Sequence, residues 1–233
     1  MRSEGDMKNL ISIYLILCVI FAFFTISQAA SPIAVVLKSR GKVDLLRTDE
    51  TKPSTPRKGT VLYDGDKIKT GEASFCAIRF TDDNSLLRIK ENSSCAIEGK
   101  KEQEQTNKNI IVEVGSFFSK LFRPRGSFSV TTPTSVASVK GTEWWTIQMA
   151  DGRTIFIVTE DMINLQNQAG SFLGREGQTI IFTSDREAPE ITLTNPDDIP
   201  TWDEEVGRFQ MLEIEFQDPE GRTRDLRIDY IEQ

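Results

Sequence analysis

Histidine is absent from the 233 residues, and cysteine occurs three times. Without imidazole, Ser-His-Asp and Cys-His nucleophilic centres and histidine-ligated metals cannot be assembled. The usual proton switch near neutral pH is missing as well. Basic charge is in short supply: 28 Lys+Arg stand against 35 Asp+Glu, a net charge of -7. A phosphate polymer needs a basic surface, so nucleic acid is not an expected partner. No cofactor motif occurs, and none is expected. The chemistry left open is a carboxylate pair of the glycosidase kind, a lysine nucleophile or an oxygen-ligated cation. At 38% apolar residues the chain still has material for a folded core.

One long apolar run stands near the start. From Leu10 to Ile26, 15 of 17 residues are apolar, Lys8 precedes them and Ser27-Gln28-Ala29 follows. A positive start, an apolar stretch and a small-x-small site predict a secretory signal over 1–29, cut after Ala29. The alternative is an uncleaved anchor, the one route by which this chain would hold a membrane. Either way the expected location is periplasmic or secreted. Charge divides the remainder. Residues 30–184 carry 21 basic against 18 acidic residues, and 185–233 carry 5 against 15. Four of the nine prolines fall in that acidic tail, so a boundary is expected near Ser184.

Residues 30–184 read as β throughout. Short alternating runs recur, among them Lys67–Thr70, Ser74–Phe80, Leu86–Lys90, Ile110–Val114, Phe117–Phe122, Thr142–Met149 and Arg153–Thr159. Asp82–Ser85 and Asp151-Gly152 supply hairpin turns. No amphipathic helix interrupts them, so the fold is expected to be all-β: twisted antiparallel sheets in a solenoid-like or sandwich body. Lys100–Asn109, with no apolar residue, reads as a solvated loop. In the tail, Pro196–Gly207 reads as a linker with one helical turn near Asp203. Gln210–Gln217 and Thr223–Ile231 alternate around Asp218-Pro219-Glu220-Gly221 and predict a terminal β-hairpin. Two strands alone are marginal in water, so it is expected to pack on the body or on a partner.

The order of turn signals resembles the FecR domain, an extracytoplasmic bacterial module. The matching pieces are Gly41-Lys42-Val43, Leu62–Gly71 with Gly65 and Asp66, Asp83–Leu86, Val114-Gly115-Ser116, Phe128–Pro133, Ser138–Glu143 with Gly141 and Thr142, and Arg175–Thr179 with Gly177 and Gln178. The resemblance covers roughly 35–183. It implies stacked twisted sheets and a non-enzymatic role in envelope binding or signalling. About nine residues precede the apolar run, too few for the cytoplasmic anti-sigma segment of the regulators that named the domain. Stand-alone secreted members are the closer parallel. Lys140 stands where usual members carry Arg.

Physically, Gly65, Asp66, Gly71, Gly115, Pro133, Gly141, Thr142, Gly177 and Gln178 read as turn and strand-end chemistry. The Asp64–Asp66 and Asp82–Asn84 loops lack the ligand pattern of a calcium loop. Adjacent Trp144 and Trp145 face opposite sides of a strand, one entering the core and the other exposed or covered by the tail. An exposed ring there could stack on sugar or anchor a partner. Lys120, Arg123 and Arg125, among Phe117, Phe118 and Phe122, could bind an anionic polymer, dock the acidic tail or simply be solvated. Cys76 and Cys95 both point inward by parity, and a bridge and two buried thiols remain alternatives. The expected partner is an envelope protein or a cell-wall polymer. A peptidoglycan-binding module is the first alternative, and a polysaccharide-acting enzyme the second.

Overall fold

The computed structural model describes residues 31–102, 105–122 and 125–202 in full, and the backbone of 209–217 and 223–231. The expected signal segment, its cleavage point after Ala29 and Arg123 lie outside the described residues. Within them the chain is all-β, without an α-helix. The strands are β1 (Ala34–Arg40), β2 (Val43–Leu46), β3 (Val61–Leu62), β4 (Asp66–Thr70), β5 (Phe75–Phe80), β6 (Leu86–Ile89), β7 (Ser94–Glu102), β8 (Gln105–Lys120), β9 (Phe128–Thr131), β10 (Val136–Val139), β11 (Glu143–Gln148), β12 (Thr154–Glu160), β13 (Met162–Asn167), β14 (Gly170–Arg175), β15 (Gln178–Phe182), β16 (Glu190–Leu193), β17 (Phe209–Gln217) and β18 (Thr223–Ile231).

Pairing arranges β1–β16 in two layers that share one strand. The first runs β3-β1-β5-β6-β8-β11-β12-β15-β16, and the second β2-β4-β7-β8-β9-β10-β13-β14. All pairs are antiparallel except β8–β9. The layers do not close into a barrel. Hairpins keep the chain within a layer, and arches at Gly65, Gly71, Gly141 and Gly177 carry it from one to the other. The inner faces meet in one apolar core. Phe128 of the second layer stands edge-on to Phe80 and Trp144 of the first, at 5.5 and 5.9 Å between ring centres. Such T-shaped contacts suit the aromatic quadrupole.

β8 is the shared strand. Its first part pairs with β7 and β9, and its last six residues pair with β6 and β11. The bend lies at Gly115, φ +108°. A Cβ there would run into the Ser93 side chain and backbone. The inward parity also switches at this point. Lys108, Ile110 and Val112 are buried before it, and Phe117 and Ser119 after it. That switch is why the sequence reads as two strands, Ile110–Val114 and Phe117–Phe122, where one bent strand exists.

Two expectations meet the structure differently. Lys100–Asn109 is not a loop: Lys100 pairs with Asn107, Lys101 with Thr106 and Glu102 with Gln105. Backbone pairing holds this polar hairpin, and Lys108 within it is fully buried. Its ammonium lies 2.8 Å from Asp82 and contacts Asp83, whose Oδ1 accepts the Ser85 N–H at 2.9 Å and whose Oδ2 accepts the Arg125 N–H at 3.2 Å. The charge is neutralised inside the protein, so no solvent is needed. Second, the body continues past Ser184, because β16 pairs with β15. A 3-10 turn forms at Pro196–Asp198, capped by Asn195, whose Oδ1 accepts the Asp197 N–H; the helical turn expected near Asp203 lies outside the described residues. The terminal hairpin forms as a separate two-stranded sheet, and its register sets Leu212 opposite Ile228 and Ile214 opposite Leu226.

Two outcomes follow for stability. Gly152 also has positive φ, +96°, but faces open space. Both Gly115→Ala and Gly152→Ala carry backbone strain, and only the former must displace Ser93. Gly115→Ala is expected to lose about 1–3 kcal/mol more in urea unfolding than Gly152→Ala; equal losses would remove the close approach as the cause. Lys108→Ala strands a buried carboxylate and is expected to cost about 3–5 kcal/mol. A loss below about 1 kcal/mol, the range of exposed pairs, would mean that the pair is solvated in practice.

Candidate functional site

The two adjacent tryptophans divide as parity requires, but neither is a free surface. Trp144 points into the core, fully buried, and donates from Nε1 to Thr146 Oγ1 at 3.0 Å. Trp145 points outward from the first layer. Cross-strand register lines up Arg88 of β6, Phe118 of β8 and Trp145 of β11 in one row. Phe75 of β5 and Leu37 of β1 adjoin it.

This outer platform is covered from the tail. Trp202 stacks on Trp145 at 5.0 Å and 27°. It stands edge-on to Phe75 at 5.5 Å and to Phe118 at 6.4 Å. The Arg88 guanidinium sits 4.0 Å from the Trp202 ring centre, the Lys90 ammonium 5.6 Å, and Lys90 also donates to the Thr201 carbonyl at 2.7 Å. The cover leaves Trp145 only 2% exposed. Burial pushes the Arg88 pKa down to about 10. Of the two readings of the outward ring, exposed or covered by the tail, the structure has the second: Trp144 is interior and Trp145 is capped.

Two cations of the basic hairpin lie within the described residues. Lys120 pairs with Glu143 at 2.5 Å and lies over the Phe122 ring, while Arg125 is exposed and engages Asp83 through its backbone. Cation-rich surface lies on β6 and β1. Lys38 pairs across from Ala77, and Arg40 from Phe75, on the same outer face as Arg88. Sequence reading passed over Arg88, Lys90 and Trp202. The signal was there, since Arg88 and Lys90 alternate with Leu87 and Ile89 along one strand.

Most motif residues act in turns and arches. Asp66 is buried; its Oδ2 accepts the Tyr63 N–H at 2.9 Å and the Arg47 guanidinium at 2.7 Å. Burial lifts its pKa, and Tyr63 and Arg47 oppose the rise. Asp64 accepts the Gly99 N–H, so both carboxylates of this loop have turn-holding tasks. Gly141 sits at φ +124°, and Thr142 Oγ1 behind it donates to the Glu160 carbonyl. Pro133 is exposed between Thr132 and Thr134, whose hydroxyls join a buried network in which Thr154 donates to Gln148 at 2.6 Å and meets both. Gln178 accepts the Arg175 N–H. Cys76 and Cys95 are unbridged and buried on opposite layers. Burial pushes the Cys76 thiol up to about 12 and raises Cys95, with the neighbouring Cys76 adding to the latter. Among the described residues no cluster of His, Cys, Asp and Glu could hold a metal ion.

One carboxylate pair is brought together that spacing did not reveal. Glu143 and Glu160 lie directly across β11 and β12. Burial and then Glu143 lift the Glu160 pKa, with Glu176 adding and Lys120 opposing.

With this geometry in view, comparison with known proteins is specific. The family described as FecR protein matches residues 66–164, from the first residue of β4 into β13. Residues 66–164 are similar to that family. The matched span holds Arg88, Phe118 and Trp145 but ends before Trp202. Two crystal structures of a candidate anti-sigma factor from Parabacteroides distasonis ATCC 8503 are similar at 13% and 15% identity, with TM-scores of 0.45 and 0.43. Each alignment covers 55% of this chain and 59% of the other. No curated protein matches the chain.

The Glu160 environment has a pH signature. A raised folded pKa means that the folded state binds the proton more tightly than the unfolded chain. The resulting stability is complete below the ordinary carboxylate pKa and is lost as pH rises through the folded value. Glu160→Gln is therefore expected to reduce the fall in Tm between about pH 4 and pH 7. A profile identical to wild type would show that Glu143, Glu176 and Lys120 do not shift this carboxyl.

Proposed function

We propose that this chain is a non-enzymatic extracytoplasmic protein that works by contact in the bacterial cell envelope. The observation that carries the reading is the FecR match over 66–164, which supports a cell-envelope signalling role. The motif residues agree with it. Gly115, Gly141, Asp66 and Thr142 shape bends and arches, and offer no reactive group to a substrate. The apolar run at 10–26 with Ser27-Gln28-Ala29 supports export. The natural partner is then another envelope protein. The peptidoglycan-binding alternative loses its strongest residues, because Trp144 and Trp145 are both buried.

Alkaline phosphatase fused after Gln233 is expected to be active in intact bacterial cells, because the enzyme folds only outside the cytoplasm. An inactive fusion, expressed at full length, would overturn the extracytoplasmic placement. Purified protein is expected to show no saturable retention on isolated cell wall. Retention that persists in Trp145→Ala would move the reading to a wall-binding module that uses other residues.

A further inference from the structure

The covered platform on the first layer has the makings of a binding site that is already filled. Three strands of the matched span contribute one side chain each to a single cross-strand row: Arg88, Phe118 and Trp145. The occupant comes from beyond the matched span, after β16. Its ring is held on one side by indole stacking, at its edges by Phe75 and Phe118, and over its face by a guanidinium 4.0 Å away. A backbone contact, Lys90 to the Thr201 carbonyl, fixes the register of the segment beside the ring. Stacked indole with a guanidinium over it is recognition chemistry for tryptophan, and Trp and Arg are the residues that anchor protein interfaces.

Charge gives the site a direction. The outer face around the platform carries Arg88, Lys90, Lys38 and Arg40. The sequence following the occupant is Asp203-Glu204-Glu205. A tryptophan followed by acidic residues is thus matched by a ring slot beside a cationic surface. The tether between β16 and the occupant is lightly held: no residue of the Pro196–Asp198 turn is buried. Lifting the segment would uncover Trp145, Phe118 and Phe75 next to a guanidinium, a patch suited to a partner.

We propose that this platform is a docking groove for an extended protein segment bearing a tryptophan followed by acidic residues, and that Thr201–Trp202 occupies it in cis. A partner with that signature competes with the chain's own segment. Because the tether holds its occupant at an effective concentration on the order of millimolar, a ligand in trans meets a strong competitor in the wild-type chain. The inference deepens the contact-based reading above and rests on it. The two fail separately, since a groove that rejects peptide leaves export untouched, and an inactive phosphatase fusion leaves the groove intact.

The test uses the mature full chain and a fluorescent peptide of residues 196–207. Trp202→Ala empties the slot and is expected to bind the peptide at least tenfold more tightly than wild type, with affinity falling as salt is added. The same peptide with its tryptophan changed to alanine is expected not to bind. Arg88→Gln in the Trp202→Ala background is expected to weaken binding about tenfold. Trp202→Phe keeps a ring in the slot and is expected to lie between wild type and Trp202→Ala; it carries the test if the alanine variant does not fold. Equal affinity of wild type and the folded variants, no binding by either variant, or binding indifferent to the peptide's tryptophan would overturn the proposal.

Discussion

Everything in the body hangs on one strand that belongs to two sheets. β8 gives its first part to one layer and its last six residues to the other. The transfer is possible because Gly115 takes φ +108° against Ser93, where any side chain would collide. Had β8 run straight, Phe117 would face solvent and Phe118 the interior, since parity is fixed at two residues. The bend reverses that choice. Phe117 goes to the core, and Phe118 goes to the outer row with Arg88 and Trp145. The apolar interior and the outer platform are therefore consequences of the same kink.

Neighbouring elements reinforce it. Lys108 lies on the same strand seven residues before the bend, and its ammonium ties β8 to the Asp82–Asp83 turn between β5 and β6. A buried ion pair adds little net stability over an apolar substitute, but it penalises any register that separates the partners. A register slip of β8 would move Lys108 away from Asp83 and Gly115 away from Ser93. Polar specificity and backbone geometry thus select the same pairing.

Much of this was legible in the sequence, and the failures have physical causes. Alternating runs, the Asp-Gly turn at Asp151 and the terminal hairpin follow from local patterns, and they appear as β11–β12 and β17–β18. The order of glycine-centred turns was enough to suggest the FecR family, whose match spans 66–164. Lys100–Asn109 misled because polarity was taken for exposure, while the backbone was paired and Lys108 met its counter-ions from far along the chain. The outer platform was half seen. Trp145 was singled out, but its cover comes from Trp202, 57 residues later, and sequence spacing does not encode a contact of that range. Glu143 and Glu160 were invisible for the same reason, being joined only by cross-strand register.

The two interior thiols carry a consequence for how the protein is made. Cys76 and Cys95 enter the core from opposite layers, unbridged and shielded from solvent. A chain exported into an oxidising space commonly depends on thiol oxidases to reach its final form. Among the described residues the core forms without a bridge. Once packed, both sulfurs are shielded, and their exposure to oxidants falls earlier, while β5 and β7 are still apart.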